Sequence, residues 1–236
     1  VQTCALPILE VLFEKVPYFK DLQSMRGTAH DKFWNSEYGQ KQKTERDHIY
    51  FGTVLEHILL QNLCAFYDVG EHNEMRLHGA DWNDALDMAW EKGESVAFTC
   101  AYAGNLRNIA KTLRQLEEIS GSSKIEIAQE MEDLLAGSVE LYEDAARKQA
   151  LLAGYAKKCE HNISGDTIVV RLDQLAANLE GKADWMMKNV RANEWVKDGE
   201  DGWFNGYYDN HGRKVEGVMD ESVRMMLTGQ VFAIMS

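Results

Sequence analysis

Proline is almost absent from this sequence. The 236 residues contain two prolines, Pro7 and Pro17, and the chain from residue 18 onward has none. Proline breaks helices because it lacks an N–H group and because its ring clashes with the preceding turn. Its absence therefore allows long, uninterrupted helices over most of the chain.

Cysteine is also scarce, and the cysteines lie far apart in the sequence. Disulfide frameworks and zinc sites usually show closely spaced cysteines, so neither is predicted and no metal is expected. A reducing cytoplasm fits this pattern. The four residues are Cys4, Cys64, Cys100 and Cys159.

Basic residues are outnumbered by acidic ones. The chain has 25 Lys and Arg against 38 Asp and Glu, which gives a formal net charge of −13 and a pI of about 5.0. Nucleic-acid backbones and anionic membrane surfaces attract basic proteins, so neither is an expected partner. The sequence also lacks the run of about 18 apolar residues that a membrane-spanning helix needs. The expected ligands are neutral or small.

Both ends of the chain are unusual. VQTCALPI, residues 1–8, resembles the translation of a sequencing-library adapter, and we exclude it from the prediction of the fold. The last residues, VRMMLTGQVFAIMS, stop inside an apolar helical pattern without the glycine, lysine or proline typical of a helix end. We therefore expect residues 9–236 to be a fragment of a larger domain, poorly soluble and inactive when expressed alone.

Apolar residues recur at three- and four-residue steps in several stretches, which predicts helices that pack along one face. The first helix covers residues 49–69, and the second begins near Ser95. The third is predicted from the capping-box spacing of Ser123 and Glu126 and reaches to about Tyr155. The chain is therefore expected to be mostly α-helical.

A fourth long helix is predicted over residues 172–190, before the sequence KDGEDG. The following stretch, WFNGYYDNHGRKVEG (residues 203–217), has aromatic residues on one side of a DNHG turn sequence and basic residues on the other. This arrangement predicts a hairpin or a structured loop.

The segment HGADWNDALDMAWEKGES, residues 78–95, concentrates acidic and indole side chains between glycines. An ionised carboxylate is costly to bury without partners, so most of these carboxylates must face solvent or a ligand. Indole faces pack on the C–H faces of a sugar ring, while Asp and Asn side chains bond to its hydroxyls. The mixture is typical of a carbohydrate site, although a solvated loop around a core tryptophan has the same composition.

The order of these residues resembles that of the inverting β-glycoside phosphorylases, glycoside hydrolase family 94, which includes cellobiose and chitobiose phosphorylases. The family's Gly-Asp-Trp-Asn-Asp core and the Gly-Glu-Ser-Val that follows are similar to ADWND at 80–84 and GESV at 93–96. A second run of the family is similar to DGWFNGYYDNHGRKVEG at 201–217 and LTGQVFAIMS at 227–236. The resemblance covers residues 78–236.

The resemblance implies that the protein is a cytoplasmic glycoside phosphorylase with Asp84 as its general acid. Inorganic phosphate would cleave a β-linked gluco-oligosaccharide and give α-glucose 1-phosphate by inversion. A protonated Asp84 would donate its proton to the departing glycosidic oxygen. Phosphate is already an anionic nucleophile, so a second catalytic carboxylate is not required. Phosphate is then a co-substrate, and no cofactor is implied. The alternative for Asp84 is a carboxylate that caps the helix after it.

Other residues of the two motifs are candidates for substrate binding. Trp82 is expected against the sugar ring, with Asn83 and Asp81 bonding to hydroxyl groups, although Trp82 could equally anchor the core. Gln230 falls on a family glutamine near the pocket, and a buried amide bonded to the backbone is an equal alternative. Ser95 is better explained as the N-cap of the next helix than as a site residue.

The family fold implied by the resemblance is all-α, an (α/α)6 toroid of six helical hairpins. The predicted helices supply roughly half of the toroid, so residues 9–236 are expected to be a fragment of this catalytic domain. Relatives are commonly dimers, which implies a homodimer for the full-length protein. The family's phosphate-binding His and Thr or Ser would lie beyond residue 236.

Several positions depart from the family pattern. Ala80 and Ala85 stand where glycine is usual, and Phe232 stands where tryptophan is typical, so the linkage and the acceptor sugar stay open. A second hypothesis is an (α/α)6 glycoside hydrolase or glucan-processing domain that uses water. A third is a noncatalytic helical binding or scaffold protein.

Overall fold

The computed structural model describes residues 10–18, 41–78, 89–219 and 222–236 of the chain. About 51% of the described residues are helical and 22% lie in strands. The helices are α1 (Val54–Tyr67), α2 (Val96–Ser120), a 3₁₀ helix (Gln129–Leu135), α3 (Val139–Tyr142), α4 (Ala145–Cys159), α5 (Leu172–Asn193) and α6 (Leu227–Met235).

Short strands lie between these helices and form five small antiparallel sheets in the described ranges. Four sheets are two-stranded, β1–β2, β5–β6, β7–β8 and β10–β11, and one has the order β3–β4–β9. The strands are β1 (Lys15–Pro17), β2 (Phe51–Thr53), β3 (Met75–Arg76), β4 (Glu94–Ser95), β5 (Lys124–Ala128), β6 (Thr167–Arg171), β7 (Trp195–Asp198), β8 (Asp201–Phe204), β9 (Tyr207–Tyr208), β10 (Gly217–Met219) and β11 (Ser222–Arg224).

The predicted fold class, an all-α partial (α/α)6 toroid, is wrong. The described chain is a mixed structure in which strands join most of the helices. The prediction failed because it treated the segments between helices as loops. Several of these segments instead pair with a neighbouring segment and satisfy their backbone hydrogen bonds as short antiparallel ladders.

The helix predicted to begin at Ser123 shows the physical reason why the all-α prediction failed. Lys124–Ala128 is strand β5, which is antiparallel to β6 over all five residues. Ile125 and Ile127 alternate with charged residues and are buried, a two-residue period that favours a strand. The chain then forms the 3₁₀ helix, α3 and α4 in place of one continuous helix, because Asp144 caps a new N-terminus at α4.

The other three predicted long helices are confirmed as α1, α2 and α5, except that the first begins later than the predicted residue 49, because Phe51–Thr53 forms strand β2. Helices α2 and α5 pack extensively on each other, and their leucines Leu106, Leu113 and Leu179 are fully buried in the main core. Gly121 ends α2 with φ of 68°, a left-handed conformation that glycine adopts without strain. Within the described ranges, no helix combines the length and the apolar character required to cross a bilayer.

The hairpin predicted within residues 203–217 is confirmed. Strand β9 turns back so that Tyr208 bridges Lys214 in antiparallel fashion. The Asp209 carboxylate fixes the turn by accepting hydrogen bonds from the backbone N–H groups of His211 and Arg213, at 2.8 and 2.9 Å. Because β9 also pairs with β4, the hairpin is held against the strand that follows the segment 79–88.

Candidate functional site

Four predicted site residues lie outside the described residues: Asp81, Trp82, Asn83 and Asp84, all within the segment 79–88. Their proposed roles therefore stay predictions. The structure does describe the chain on both sides of this segment, and these two flanks carry a dense set of buried polar contacts.

The two flanks are joined by a small sheet. In the antiparallel pair β3–β4, Met75 lies opposite Ser95 and Arg76 lies opposite Glu94. The backbone N–H of Leu77 adds a hydrogen bond to the carbonyl of Gly93 at 3.0 Å. The segment 79–88 is therefore a connection between two paired strands, and the ends of that connection are fixed by backbone hydrogen bonds.

Glu94 is the centre of the polar contacts on these flanks. Its side chain is 3% exposed, and its carboxylate accepts hydrogen bonds from the backbone N–H groups of His72 and Glu74 at about 3 Å. The His72 ring adds a contact from Nδ1 to Oε1 at 2.8 Å. A Cβ at residue 70 would lie 2.2 Å from this carboxylate, so Gly70 is required for the turn to close over Glu94.

A second set of contacts connects His72 to the hairpin. The His72 ring stacks on the ring of Tyr208, with centroids 3.7 Å apart. The Tyr208 hydroxyl donates to the buried carboxylate of Glu194 at 2.8 Å, and Asn205 donates to the same carboxylate at 3.1 Å. Burial raises the pKa of Tyr208, and the negative charge of Glu194 raises it further, so this phenol is a permanent hydrogen-bond donor.

Glu74 is the most deeply buried acid in this region. It has no exposed surface, and Oε1 accepts a hydrogen bond from Asn189 at 3.0 Å. Burial raises the pKa of Glu74 well above its usual value; the charges of Glu194 and Glu94 also raise it, while a hydrogen bond from Thr99 opposes the shift. Glu74, Glu94 and Glu194 together are called the carboxylate cluster below.

Two residues that match the family motifs make structural contacts. Ser95 is the N-cap of α2, as predicted, and its Oγ accepts from the N–H of Phe98 at 3.0 Å. Gln230 bonds to the backbone of Phe204 through both ends of its amide, at 2.9 Å to the N–H and 2.7 Å to the carbonyl. The amide thus fixes α6 against β8, and a role for Gln230 in substrate binding stays a prediction.

Two lysines, Lys148 and Lys182, are buried on the other side of the turn at residue 73, and we call them the lysine pair. Their relative exposures are 1% and 0%. Lys148 donates to Asn73 at 2.9 Å and lies 4.2 Å from the centre of the Phe66 ring. Lys182 donates to the carbonyl of Ala136 at 2.9 Å.

Burial lowers the pKa of each lysine in the pair to about 7. The negative charge of Glu74 acts in the opposite direction on Lys148, while the charge of Lys148 lowers the pKa of Lys182 further. Both ammonium groups are therefore close to half-protonated at neutral pH, unlike an exposed lysine.

Sequence reasoning did not find the carboxylate cluster or the lysine pair as functional elements. Glu94 was visible as part of the Gly-Glu-Ser-Val match, but Glu74, Glu194 and the two lysines lie in stretches with no motif. Their importance comes from burial, which the sequence does not show. Among the described residues, no group of three or more His, Cys, Asp or Glu side chains is placed to hold a metal ion.

No protein-family model matches the chain. Among curated proteins, the chain is similar to the solabiose phosphorylase of Paenibacillus borealis, with 27% identity over 187 residues. The match covers 78% of this chain and 17% of that relative, so the chain spans less than a fifth of the relative's length. A continuous match of this extent in 236 residues has to include the segment 79–88 and both flanks. The similarity is distant, and it supports at most a relationship of this chain to phosphorylases.

Proposed function

We propose that the chain is part of a glycoside phosphorylase that cleaves a β-linked gluco-oligosaccharide with inorganic phosphate and forms α-glucose 1-phosphate by inversion. The observation that carries this proposal is the distant similarity to a protein named as a phosphorylase, over a region that includes the segment with Asp84. That name favours phosphate over water as the nucleophile, and so favours phosphorolysis over the hydrolase hypothesis.

In the proposed reaction Asp84 is the general acid. Its proton passes to the glycosidic oxygen as the bond from that oxygen to the anomeric carbon breaks. A phosphate oxygen forms the new bond to the anomeric carbon from the opposite face, which inverts the configuration. Trp82 would pack on the sugar ring, and Asn83, Asp81 and Gln230 would contact its hydroxyl groups.

The buried flanks support this assignment. A general acid must be held close to the leaving oxygen, and a displacement of about 1 Å can cost about a hundredfold in rate. Glu94 joins the turn at residues 70–74 to β4, and therefore holds both ends of the segment with Asp84 in one arrangement. Glu94 is in this proposal a positioning residue, since its own oxygens are occupied by protein donors.

The test uses the longer protein that is expected to contain residues 9–236. It is incubated with β-linked gluco-oligosaccharides of different linkages, with and without inorganic phosphate, and α-glucose 1-phosphate is measured. We expect product only with phosphate. The variant Asp84→Asn should lower turnover by about 10²-fold or more, while Asp87→Asn, which removes the same charge from the same segment, should retain most activity.

Sugar release that does not depend on phosphate would overturn the proposal and favour the hydrolase. Equal turnover in the Asp84→Asn protein would remove Asp84 from the mechanism. The cytoplasmic location remains a prediction from the scarce, widely spaced cysteines. The homodimer of the full-length protein remains a prediction from the resemblance, and size-exclusion chromatography with light scattering tests it.

A further inference from the structure

Strand β6 is one edge of the two-stranded sheet that it forms with β5. In an antiparallel pair, residues whose backbone groups bond to the partner strand alternate with residues whose groups point away from it. Two hydrogen bonds at the ends of this pair fix the alternation: Leu172 N–H donates to Ser123, and Gln129 N–H donates to Asp166. The odd-numbered residues of β6 therefore direct their backbone groups away from β5.

We call these groups the outer edge of β6: the N–H groups of Thr167, Val169 and Arg171 and the carbonyls of Thr167 and Val169. The Arg171 carbonyl is left out because this residue is the N-cap of α5. No hydrogen bond within the described ranges reaches the outer edge. All three residues are exposed, Val169 by 61%. Such an edge can pair with another extended strand.

The surroundings close the other side of the sheet but leave this one open. Strand β5 contacts β2, and the N–H of Ala128 donates to the buried carboxylate of Glu56. On the side of β6, Ile163 exchanges hydrogen bonds with residues 43–45. Gly165, with φ of 79°, then turns the chain, and this pairing does not continue to β6 in the described structure.

The sequence of β6 also lacks the features that usually protect an edge. Proteins place lysine, proline or a bulge in exposed edge strands, whereas β6 reads TIVVR and pairs with β5 in an unbroken register. Its residues other than Arg171 are β-branched and favour strands. Arg171 is held by Asp173 at 2.8 Å, so its charge is partly neutralised within the same chain.

We infer that the outer edge of β6 binds a second copy of this chain as an antiparallel strand, with Val169 of one copy opposite Val169 of the other. A two-fold interface needs a self-complementary register, and pairing centred on the middle residue of this five-residue strand supplies it. Each Val169 N–H would donate to the Val169 carbonyl of the other copy. Each Arg171 N–H would donate to the Thr167 carbonyl of the other copy.

The side chains favour this register over its neighbours. Centring on Val169 places Thr167 opposite Arg171 and Ile168 opposite Val170, so apolar side chains meet and like charges do not. Centring on Arg171 would oppose two arginines. A shift by one residue would direct bonded groups of β6 toward the second copy. The observations therefore commit the outer edge to one symmetric pairing.

This inference is independent of the proposed function, because self-association is measured without substrate. The family resemblance implies a homodimer for the full-length protein, whereas the pairing surface follows from the backbone geometry of β6. Failure of either proposal leaves the other in place.

The first experiment is sedimentation velocity of the 236-residue chain over a range of concentrations, with circular dichroism to verify folding. We expect a reversible monomer–dimer equilibrium. Val169→Pro removes an N–H that points away from β5, so it keeps the β5–β6 hydrogen bonds and should weaken the dimer at least about tenfold. The matched control is Val169→Thr, which keeps the N–H and the β-branch and should leave the affinity nearly unchanged.

A second experiment does not depend on the proline variant. Residues of a bonded antiparallel pair have Cα atoms about 5.5 Å apart, a separation that a disulfide spans. With oxidised glutathione, Val169→Cys should therefore form a covalent dimer on a non-reducing gel. The control Val218→Cys has similar exposure, 52% on β10, and the same native cysteines, and it should form much less.

A folded chain that is monomeric at every concentration would overturn the inference. A dimer that Val169→Pro does not weaken, or equal cross-linking of the two cysteine variants, would place the contact on another surface and overturn it as well. The same variants are made in the longer protein. If that protein is monomeric and Val169→Cys is protected from thiol labelling, another segment of the polypeptide covers the edge and the second copy is excluded.

Discussion

The carboxylate cluster and the lysine pair are two regions of buried ionisable side chains on either side of one short turn, and they are built differently. Glu94 and Glu194 accept hydrogen bonds from backbone and side-chain donors of the loops around them. The lysine pair instead lies among aromatic rings and is bonded to a few carbonyl and amide oxygens. The carboxylates fix loop backbones, whereas the lysines fill the space between helices.

The two regions also respond to pH in opposite directions. Burial raises the pKa of Glu74, so the folded protein loses stability at this site as the pH rises above the unfolded value of about 4.5. Burial lowers the pKa of the two lysines, so stability at these sites increases as the pH rises above about 7. A buried group stabilises the fold only in the state of protonation that its surroundings accept.

The largest effect of a single substitution is expected at Glu94, in the carboxylate cluster. Glu94→Ala leaves the N–H groups of His72 and Glu74 and the ring of His72 without their acceptor in a buried site. Unsatisfied buried donors are costly, and we expect the free energy of unfolding to fall by about 3–5 kcal/mol. Urea unfolding followed by circular dichroism measures this change.

The control for that prediction is Glu91→Ala, because Glu91 is exposed and three residues away. It should change the free energy of unfolding by no more than about 0.5 kcal/mol. A loss below about 1 kcal/mol in Glu94→Ala would show that the flanks of the segment 79–88 are held by other contacts.

A second prediction concerns the lysine pair. As the pH rises from 7 toward 10.5 the folded lysines lose their protons while the unfolded ones keep theirs, so unfolding takes up protons and becomes less favourable as the pH rises. Each lysine should contribute a slope of at most about 1.4 kcal/mol per pH unit. Burial raises the pKa of the adjacent Tyr67 and Tyr142, which keeps these phenols neutral in this range.

The measurement is the free energy of unfolding between pH 7 and 9.5, for the wild type and for Lys148→Met with Lys182→Met. The double variant should lose the rise, and Lys111→Met, at an exposed position, should keep it. An unchanged slope in the double variant would mean that the buried lysines stay charged in the folded protein.

The smallest effect is expected from the loss of a single hydrogen bond in the carboxylate cluster. Tyr208→Phe keeps the ring that stacks on His72 but removes the hydroxyl that donates to Glu194. We expect a loss of about 1.5–3 kcal/mol, the usual range for a hydrogen bond to a charged group, measured by urea unfolding. Tyr102→Phe is the control, because the Tyr102 hydroxyl has no hydrogen-bond partner in the described part of the chain. Equal losses in the two variants would contradict the importance of this bond.

The sequence predicted helices well where their apolar faces were long. The stripes in α1, α2 and α5 have the helical period over many turns, and Ser95 has the type and position of an N-cap. It failed over Lys124–Ala128, where a five-residue alternation was too short to outweigh a capping-box pattern. That strand exists because β6, about forty residues later, supplies its hydrogen-bond partners.

The candidate site was predicted in part. The motif predicted a site in the segment 78–95, because the types of its residues and their order can be compared directly in the sequence. The environment of its flanks could not be predicted, since Glu74 meets Asn189 and Glu194, which lie at the C-terminal end of α5, only in the folded chain; Asn189 is 115 residues from Glu74 in the sequence.

The sequence alone determined the acidic balance of the chain, the absence of proline after residue 17, the long helices and the chemical character of the segment 78–95, because these follow from local residue types and their spacing. The tertiary structure decided which segments became strands and which charges are buried. These properties depend on contacts between distant residues, since burial and backbone pairing exist only once the chain has folded.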